Sequence, residues 1–274
     1  LSHHEGGWRP LVYCWRGGQR SGSFAWMLQQ IGWRAEVISG GYQTYRRLVN
    51  AYLYVQSLPH SLVLLDGYTG SAKTEILHRV AALGGQVLDL EGLAKHRGSL
   101  LGDLPAPQPS QKAFESALAG ELLRLDPARA VLVEAESSKI GARFIPPTLW
   151  QAMKTAPRIE VVASVKARSR YLLASYDDIL SDSARLTEKL QPLRAHRSNA
   201  VVDHWLALID AGDKLGLTEA LMQDHYDPSY LKSRKSRGQV AAAQVEISRM
   251  SESDLQEAAQ AVLKHLNCLS SPGG

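Results

Sequence analysis

Two short stretches carry residue types whose order could do chemistry. Gly67-Tyr68-Thr69-Gly70-Ser71-Ala72-Lys73-Thr74 follows the phosphate-binding pattern G-x-x-x-x-G-K-[ST], with Ala72 where the last glycine is expected. In such a loop the glycines let backbone N–H groups fold into a nest around phosphate oxygens, and the helix that follows adds the positive end of its dipole. Gly67, Thr69, Gly70, Ser71 and Ala72 are the expected loop contacts to phosphate, Lys73 reaches the outer phosphate, and Thr74 can ligate Mg²⁺. A methyl group at position 72 is excluded only if that residue needs positive φ or very close ligand approach. The bland alternative is a Gly/Ser turn ahead of a helix that happens to open with Lys-Thr.

The second stretch is Cys14-Trp15-Arg16-Gly17-Gly18-Gln19-Arg20-Ser21. A cysteine at a strand's carboxyl end, facing two arginines, two glycines and a helix N-terminus, sits where positive potential and N–H groups stabilise a thiolate. Cys14 is therefore a candidate nucleophile near neutral pH, tuned by Arg16 and Arg20. The same cradle could hold a persulfide or perselenide anion. A buried structural cysteine beside solvated arginines is the alternative.

The elements that must position these residues follow from periodicity. Leu11 to Cys14 reads as a strand, Ser23 to Gly32 as a helix with Phe24, Met27, Leu28 and Ile31 on one face, Ala35 to Ile38 as a strand, and Tyr42 to Leu53 as a helix after Gly40-Gly41. Leu62 to Leu65 is a buried strand leading into the phosphate loop. Val87 to Leu90 and Ala130 to Glu134 are further strands, Phe114 to Leu125 and Thr148 to Lys154 are helices, and Arg158 to Val165 is a strand. From Tyr171 onward the chain reads as wholly helical, with Leu190 to Ile209 and Leu217 to Asp224 the clearest stretches and Glu252 to Leu266 an amphipathic terminal helix. The fold class is α/β, with a mainly parallel sheet supported by the strand-helix alternation from Leu62 to Val165. The expected domains are 1–55, 56–170 and 171–274.

Glu134 or Glu136, at the end of its strand, could order Mg²⁺ directly or through water, or could instead pair with Lys139 or Arg143. Lys95, His96 and Arg97 suit an anionic substrate over the loop, and Lys166, Arg168 and Arg170 follow a strand whose end often closes over phosphates. Arg97, Arg168 and Arg170 are the chosen phosphate ligands among these. Arg194, His196, Arg197, Lys232, Arg234, Lys235 and Arg237 form the expected RNA-backbone surface, against the default of a solvated basic face.

At 274 residues and 45% hydrophobic content the chain can bury one large core or two small ones. A net charge of +4 favours polyanionic partners without identifying one. No run approaches the roughly 18 apolar residues of a membrane helix, so no membrane partner and a cytoplasmic location are expected. Two distant cysteines, Cys14 and Cys268, argue against a disulfide framework, and Cys268 reads as incidental. The chain opens with Leu1 in place of an initiating Met and reads as a fragment.

The segment YCWRGGQRS, with its following helix and VISGGYQTYRR, resembles the second half of a rhodanese domain, and a phosphate loop follows it. Together with Asp89-Leu90-Glu91-Gly92-Leu93-Ala94-Lys95-His96-Arg97-Gly98-Ser99 and Glu134-Ala135-Glu136-Ser137-Ser138-Lys139-Ile140-Gly141, these motifs resemble the bacterial tRNA 2-selenouridine synthases, in that family's order, from Tyr13 to about Tyr230. The resemblance implies a partial rhodanese-like unit, a P-loop NTPase-like sheet and a helical C-terminal region. It also implies a two-step change at a tRNA wobble uridine. Geranyl diphosphate first alkylates the sulfur of 2-thiouridine, and selenium from selenophosphate then displaces the geranylthio group. Cys14 would carry selenium and Lys73 would stabilise the departing diphosphate. Mg²⁺ is the expected ion, and no tightly bound organic cofactor is expected. Trp8, Trp15, Trp33 and Trp150 are candidates for the prenyl surface only as apolar area. The rival readings are an ATP-dependent kinase or ATPase fused to a sulfurtransferase domain, and a non-catalytic RNA-binding module.

Overall fold

The computed structural model describes residues 3–4, 7–16, 18–237 and 240–270, the side chains of 233–237 and 270 excepted. The chain divides into two compact units, Leu1–Leu58 and Pro59–Gly274.

In the first unit β1 (Leu11–Val12) and β2 (Glu36–Val37) pair in parallel, Leu11 opposite Glu36 and Val12 opposite Val37. Helix α1 (Gln19–Gln30) joins them, and α2 (Gly41–Asn50) follows, ending in a π turn over Ala51–Val55. This is the expected β-α-β-α order. The expected apolar face of α1 is only partly covered: Leu28 is buried with Ala25 and Ala35, whereas Phe24, Met27 and Ile31 are exposed. Two strands of two residues each offer too little sheet to cover a whole helix face.

The second unit is built on a five-stranded sheet of order β4-β5-β3-β8-β9, with every neighbouring pair parallel. Along the chain come β3 (Leu62–Asp66), α3 (Lys73–Ala82), β4 (Gln86–Leu88), α4 (Leu90–Ala94), α5 (Gln111–Arg124) and β5 (Val131–Glu134). A small antiparallel hairpin, β6 (Lys139–Ile140) and β7 (Arg143–Phe144), precedes α6 (Pro147–Thr155) and β8 (Arg158–Ala163). Then follow α7 (Val165–Ser175), α8 (Asp177–Leu180), α9 (Ser183–Leu190), α10 (Asn199–Asp210), α11 (Lys214–Leu221), α12 (Asp227–Arg237), β9 (Ala243–Ile247) and α13 (Glu252–Ser270).

β3 lies at the centre and is buried along its whole length, as its unbroken apolar run requires in a parallel sheet covered on both faces. Its core contains Val63, Leu65, Ile76, Leu77, Val80 and Ile159, together with Ala259 and Val262 of α13. A second core gathers Leu186, Leu190, Val202, Trp205 and Leu217 from the helices after α7.

The structure departs from the expected helical region 171–274 in two ways. Ala243–Ile247 is a strand, paired with β8 from Ile159 opposite Ala243 to Ala163 opposite Ile247, and α13 packs in the same core as α3. Residues 171–274 therefore share one unit with the phosphate loop. Only Val245 and Ile247 of β9 are buried, between exposed Gln244 and Glu246, and the partner strand is far away in sequence. Local periodicity registers such an edge strand poorly. The expected helix Leu190 to Ile209 is also interrupted, by a 3-10 turn over Gln191–Ala195 containing Pro192, after which Ser198 caps α10 by accepting from the Val201 N–H. Among the described residues no helix is long and apolar enough to cross a membrane.

Candidate active site

β3 ends at Asp66, whose carboxylate accepts from the Gly67 N–H at 3.0 Å and pairs with buried Arg158 at 3.3 Å. The chain then turns through the phosphate loop into α3. A cavity of about 580 Å³ opens on residues 69–75, and is further lined by His78, Glu91, residues 97–100 and 135–137, and a set of tyrosines. The loop is tightly covered from outside: a Cβ on Gly70, at φ +83°, would stand 3.0 Å from both Leu172 Cγ and Met222 Cε. Lys73 Nζ donates to the Gly67 carbonyl at 2.9 Å, an acceptor that a phosphate oxygen would replace. Ser71 is fully buried in the loop and, among the described residues, its hydroxyl has no hydrogen-bond partner, a donor suited to an anion seated there.

Ala72 caps α3 with φ 57° and ψ 30°, in the left-handed region. Position 72 is thus one of those where the methyl group matters: the loop needs positive φ there, and an alanine holds it at a cost of about 1 kcal/mol.

Thr74 stands at the centre of an acidic cluster. Its Oγ1 lies 2.8 Å from Glu134 Oε1 and 3.1 Å from Glu91 Oε2, while the Glu91 N–H donates to Glu134 Oε2 at 3.3 Å. One hydroxyl carries one proton, so both contacts are satisfied together only when one carboxyl is protonated. Burial pushes both acids upward, and neighbouring carboxylates add to it: Glu134 and Glu136 act on Glu91, Asp89 and Glu136 on Glu134. This all-oxygen set of a hydroxyl and crowded carboxylates fits Mg²⁺, a hard cation that would relieve the repulsion. Among the described residues no group of three or more His, Cys, Asp or Glu is arranged to enclose a metal ion. Magnesium usually relies on one or two carboxylates plus phosphate oxygens and water. Glu134 makes the Thr74 contact, Glu136 lines the cavity nearby, and neither has Lys139 as its partner, which lies over the Phe144 ring at 5.5 Å.

The expected basic ligands separate. Arg97 lines the cavity, held by Asp178 at 3.2 and 3.3 Å and lying 4.6 Å over the Tyr176 ring. Arg168 does not face the cavity: it is buried, with its terminal nitrogens bonded to the Asp227 carboxylate at 3.0 and 2.7 Å and to the Thr69 carbonyl at 3.0 Å. Its role is to hold the loop. Arg170 is exposed and lies outside the cavity lining, because α7 turns its side chain away while bringing Leu172 inward. Lys95 is exposed; His96 is buried, taking the Gly98 N–H on Nδ1 at 3.1 Å and facing Asp103 at 3.2 Å. Arg194 pairs with Asp203, and Arg197 donates to the His225 carbonyl and Ser229 Oγ. Lys232 is exposed on α12; the side chains of Arg234, Lys235 and Arg237 lie outside the described residues, as does Gly17. Trp8, Trp15, Trp33 and Trp150 are absent from the cavity lining.

Sequence reading missed Glu91 and the tyrosines. Asp89 caps α4 by accepting from the Gly92 N–H, which turns Glu91 back toward Thr74; an N-cap Asp ahead of Leu-Glu was the available signal. Tyr230 donates no such local signal: its hydroxyl accepts the Gly67 N–H at 3.1 Å from far along the chain.

In the first unit Cys14 sits just after β1, where the Cys14 carbonyl accepts from the Tyr42 N–H at 3.1 Å. A Cβ on Gly41, at φ +52°, would approach that carbonyl oxygen to 2.5 Å, so the glycine is what lets α2 start against the loop. The Cys14 thiol is lowered to about 6, first by the Ser21 hydroxyl, then by the N–H of Ser21 and by bonds to Gly18 and Arg16 backbone. The guanidiniums of Arg16 and Arg20, expected to tune the thiol, are both exposed to solvent.

Three outcomes follow from this geometry. Ala72→Gly should leave the stability of the second unit within about 1 kcal/mol of wild type in denaturant unfolding, because relief of the left-handed strain offsets the lost buried methyl and the added chain entropy. Glu91 and Glu134 hold protons in the folded state that the unfolded chain has released, so stability should be greatest at low pH and fall as pH rises through their raised values. Thermal melts from about pH 5 to about pH 9 should show that fall, with Glu91→Gln flattening it and Mg²⁺ reversing it. Alkylation of Cys14 by iodoacetamide, in a Cys268→Ser background, should show a midpoint near pH 6 that moves upward in Ser21→Ala.

The family model of the tRNA 2-selenouridine synthase AAA domain matches residues 60–200, which hold the phosphate loop, the acidic cluster and Arg97. A tRNA 2-selenouridine synthase of Cupriavidus pinatubonensis (strain JMP 134 / LMG 1197) is 32% identical over 237 residues, covering 84% of this chain and 62% of that protein. One of Hahella chejuensis (strain KCTC 2396) is 31% identical over 269 residues, covering 85% of this chain and 70% of that protein. The chain thus spans about two thirds of the length of such relatives. Among solved structures, a shikimate kinase from Bacteroides thetaiotaomicron covers 75% of this chain and 98% of its own at 11% identity, with a TM-score of 0.30 too low to carry an argument. With the family model matching half of its length and relatives of this kind aligned to most of it, the chain belongs to the tRNA 2-selenouridine synthase family.

Proposed function

We propose that this chain acts in selenation of a tRNA wobble uridine, through S-geranylation of 2-thiouridine by geranyl diphosphate and replacement of the geranylthio group by selenium from selenophosphate. The observation that carries the reading is one cavity holding Lys73, the unpartnered Ser71 hydroxyl and the loop beside the Thr74–Glu134–Glu91 cluster, a site built for a diphosphate. Family membership supplies the tRNA.

In the first step the thiouridine sulfur bonds to C1 of the allylic chain as the C–O bond to diphosphate breaks, and the electron pair leaves on diphosphate. Lys73, the loop amides and Ser71 Oγ–H stabilise the charge that gathers there, which is the part of the barrier a preorganised anion site lowers. When bound, Mg²⁺ neutralises diphosphate charge; Thr74 and Glu134 would hold it, with Glu91 and Glu136 alongside. In the second step selenium bonds to C2 of the base and the geranylthiolate departs. An alkyl thiolate leaves more readily than a thiocarbonyl sulfur, which is why alkylation precedes exchange. The Cys14 thiolate, favoured by its lowered pKa, attacks phosphorus of selenophosphate, so that an S–P bond forms as the P–Se bond breaks and selenium leaves as selenide to bond C2. The exposed basic side chains, Lys232 among them, supply phosphate contacts to tRNA, with Arg194 and Arg197 at the neighbouring helices.

Calorimetric titration with geranyl diphosphate and, separately, ATP, each with Mg²⁺, tests the reading. Wild type should bind the prenyl diphosphate, and Lys73→Ala should weaken it roughly 100-fold. Preference for ATP would overturn the prenyl assignment in favour of a nucleotide-dependent kinase or ATPase.

A further inference from the structure

The cavity that opens on the phosphate loop has an apolar side supplied by three separate segments: Tyr171, Leu172 and Tyr176 in and after α7, Leu100 after the Arg97-Gly98-Ser99 turn, and Tyr226 just before α12. Tyrosines in a pocket usually bring hydroxyls as well as rings, and those hydroxyls normally select a ligand edge. Here Ser99 lies beside the phenols of Tyr176 and Tyr226, and Ser175 beside that of Tyr171. Tyr230, also on the lining, spends its hydroxyl on the Gly67 N–H. Burial holds the phenols of Tyr171, Tyr176 and Tyr226 in their neutral form, shown by the upward direction of each.

We infer that this wall of Leu100, Tyr171, Leu172, Tyr176 and Tyr226 is the subsite for the hydrocarbon tail of the diphosphate whose head lies on the P-loop. The inference rests on the prenyl diphosphate reading and locates its tail. An alkenyl chain needs only carbon surface, which the two leucines and the rings of the three tyrosines supply. Leu172 fixes the join between the two halves of the site, because it touches Gly70 of the loop while facing the cavity. The apolar tail would then begin one loop residue away from the phosphates. Leu100 reaches the cavity because His96, pinned by the Gly98 N–H and Asp103, sets the turn that carries it.

The test compares geranyl diphosphate with inorganic diphosphate on the same chain in Mg²⁺. Wild type should bind geranyl diphosphate at least about tenfold more tightly, and Leu100→Ala and Leu172→Ala should each lose about tenfold for geranyl diphosphate. Inorganic diphosphate should bind the Leu100 variant as it binds wild type, which also shows that the loop is intact. Equal affinity of the two ligands for wild type would overturn the tail subsite while leaving the diphosphate site standing. Equal losses for both ligands in the Leu100 variant, which does not touch the loop, would overturn it too. Binding of neither ligand to wild type would overturn the prenyl diphosphate reading and the subsite with it.

Discussion

Arg168 takes a full charge into the interior, and the rest of the site depends on how it is held there. Its guanidinium bonds the Asp227 carboxylate twice and the Thr69 carbonyl once, and lies 5.1 Å from the Tyr68 ring centre. One side chain thereby ties α7, the phosphate loop and the start of α12 together. Removing either charged partner of such a buried pair typically costs about 3–5 kcal/mol, since the other is left uncompensated. The charge is retained at the junction where an apolar replacement could pack but could not fix the Thr69 carbonyl, and so could not fix the loop.

That fixed loop is where the remaining constraints accumulate. Ala72 is held in left-handed backbone, Ser71 has its hydroxyl buried without a partner, and Thr74 faces two carboxyls with one proton to give. Each is unfavourable by itself; an anion would partner Ser71 and Lys73, and a divalent cation would relieve Thr74 and its acids, while the Ala72 strain stays in the backbone. The strain is supported by the most deeply packed part of the fold, β3 and α3, whose Leu65, Ile76 and Leu77 are fully buried. Binding energy from a diphosphate with its cation would therefore be realised as relief of stored repulsion as well as new contacts.

The first unit follows a different logic. Its thiol is lowered by one hydroxyl and a few backbone dipoles at a helix start, an arrangement that works in the short range and survives salt. Its small core of Ala25, Leu28 and Ala35 leaves large apolar residues such as Leu11, Tyr13 and Phe24 exposed.

The sequence by itself determined the parts governed by local rules. The apolar run at β3, the Gly-rich turn and Lys73-Thr74 lie within a few residues of one another, so their strand, loop and helix follow from short-range geometry. The parallel sheet followed from alternation, and Cys14 from the composition of its turn. What only the tertiary structure decided were matters of long-range pairing. Ala243–Ile247 became a strand because β8 offered it a free edge, a fact absent from its own half-polar pattern. Arg168 and Arg170 look alike in sequence, yet α7 turns one into Asp227 and the other to solvent, because their positions differ by two residues and so fall on different helix faces. Glu91 reached Thr74 through a cap at Asp89, and the Ser21 hydroxyl reached the Cys14 thiol from the first turn of the following helix. Charge can be counted in a sequence; what it touches depends on which distant segment folding brings to it.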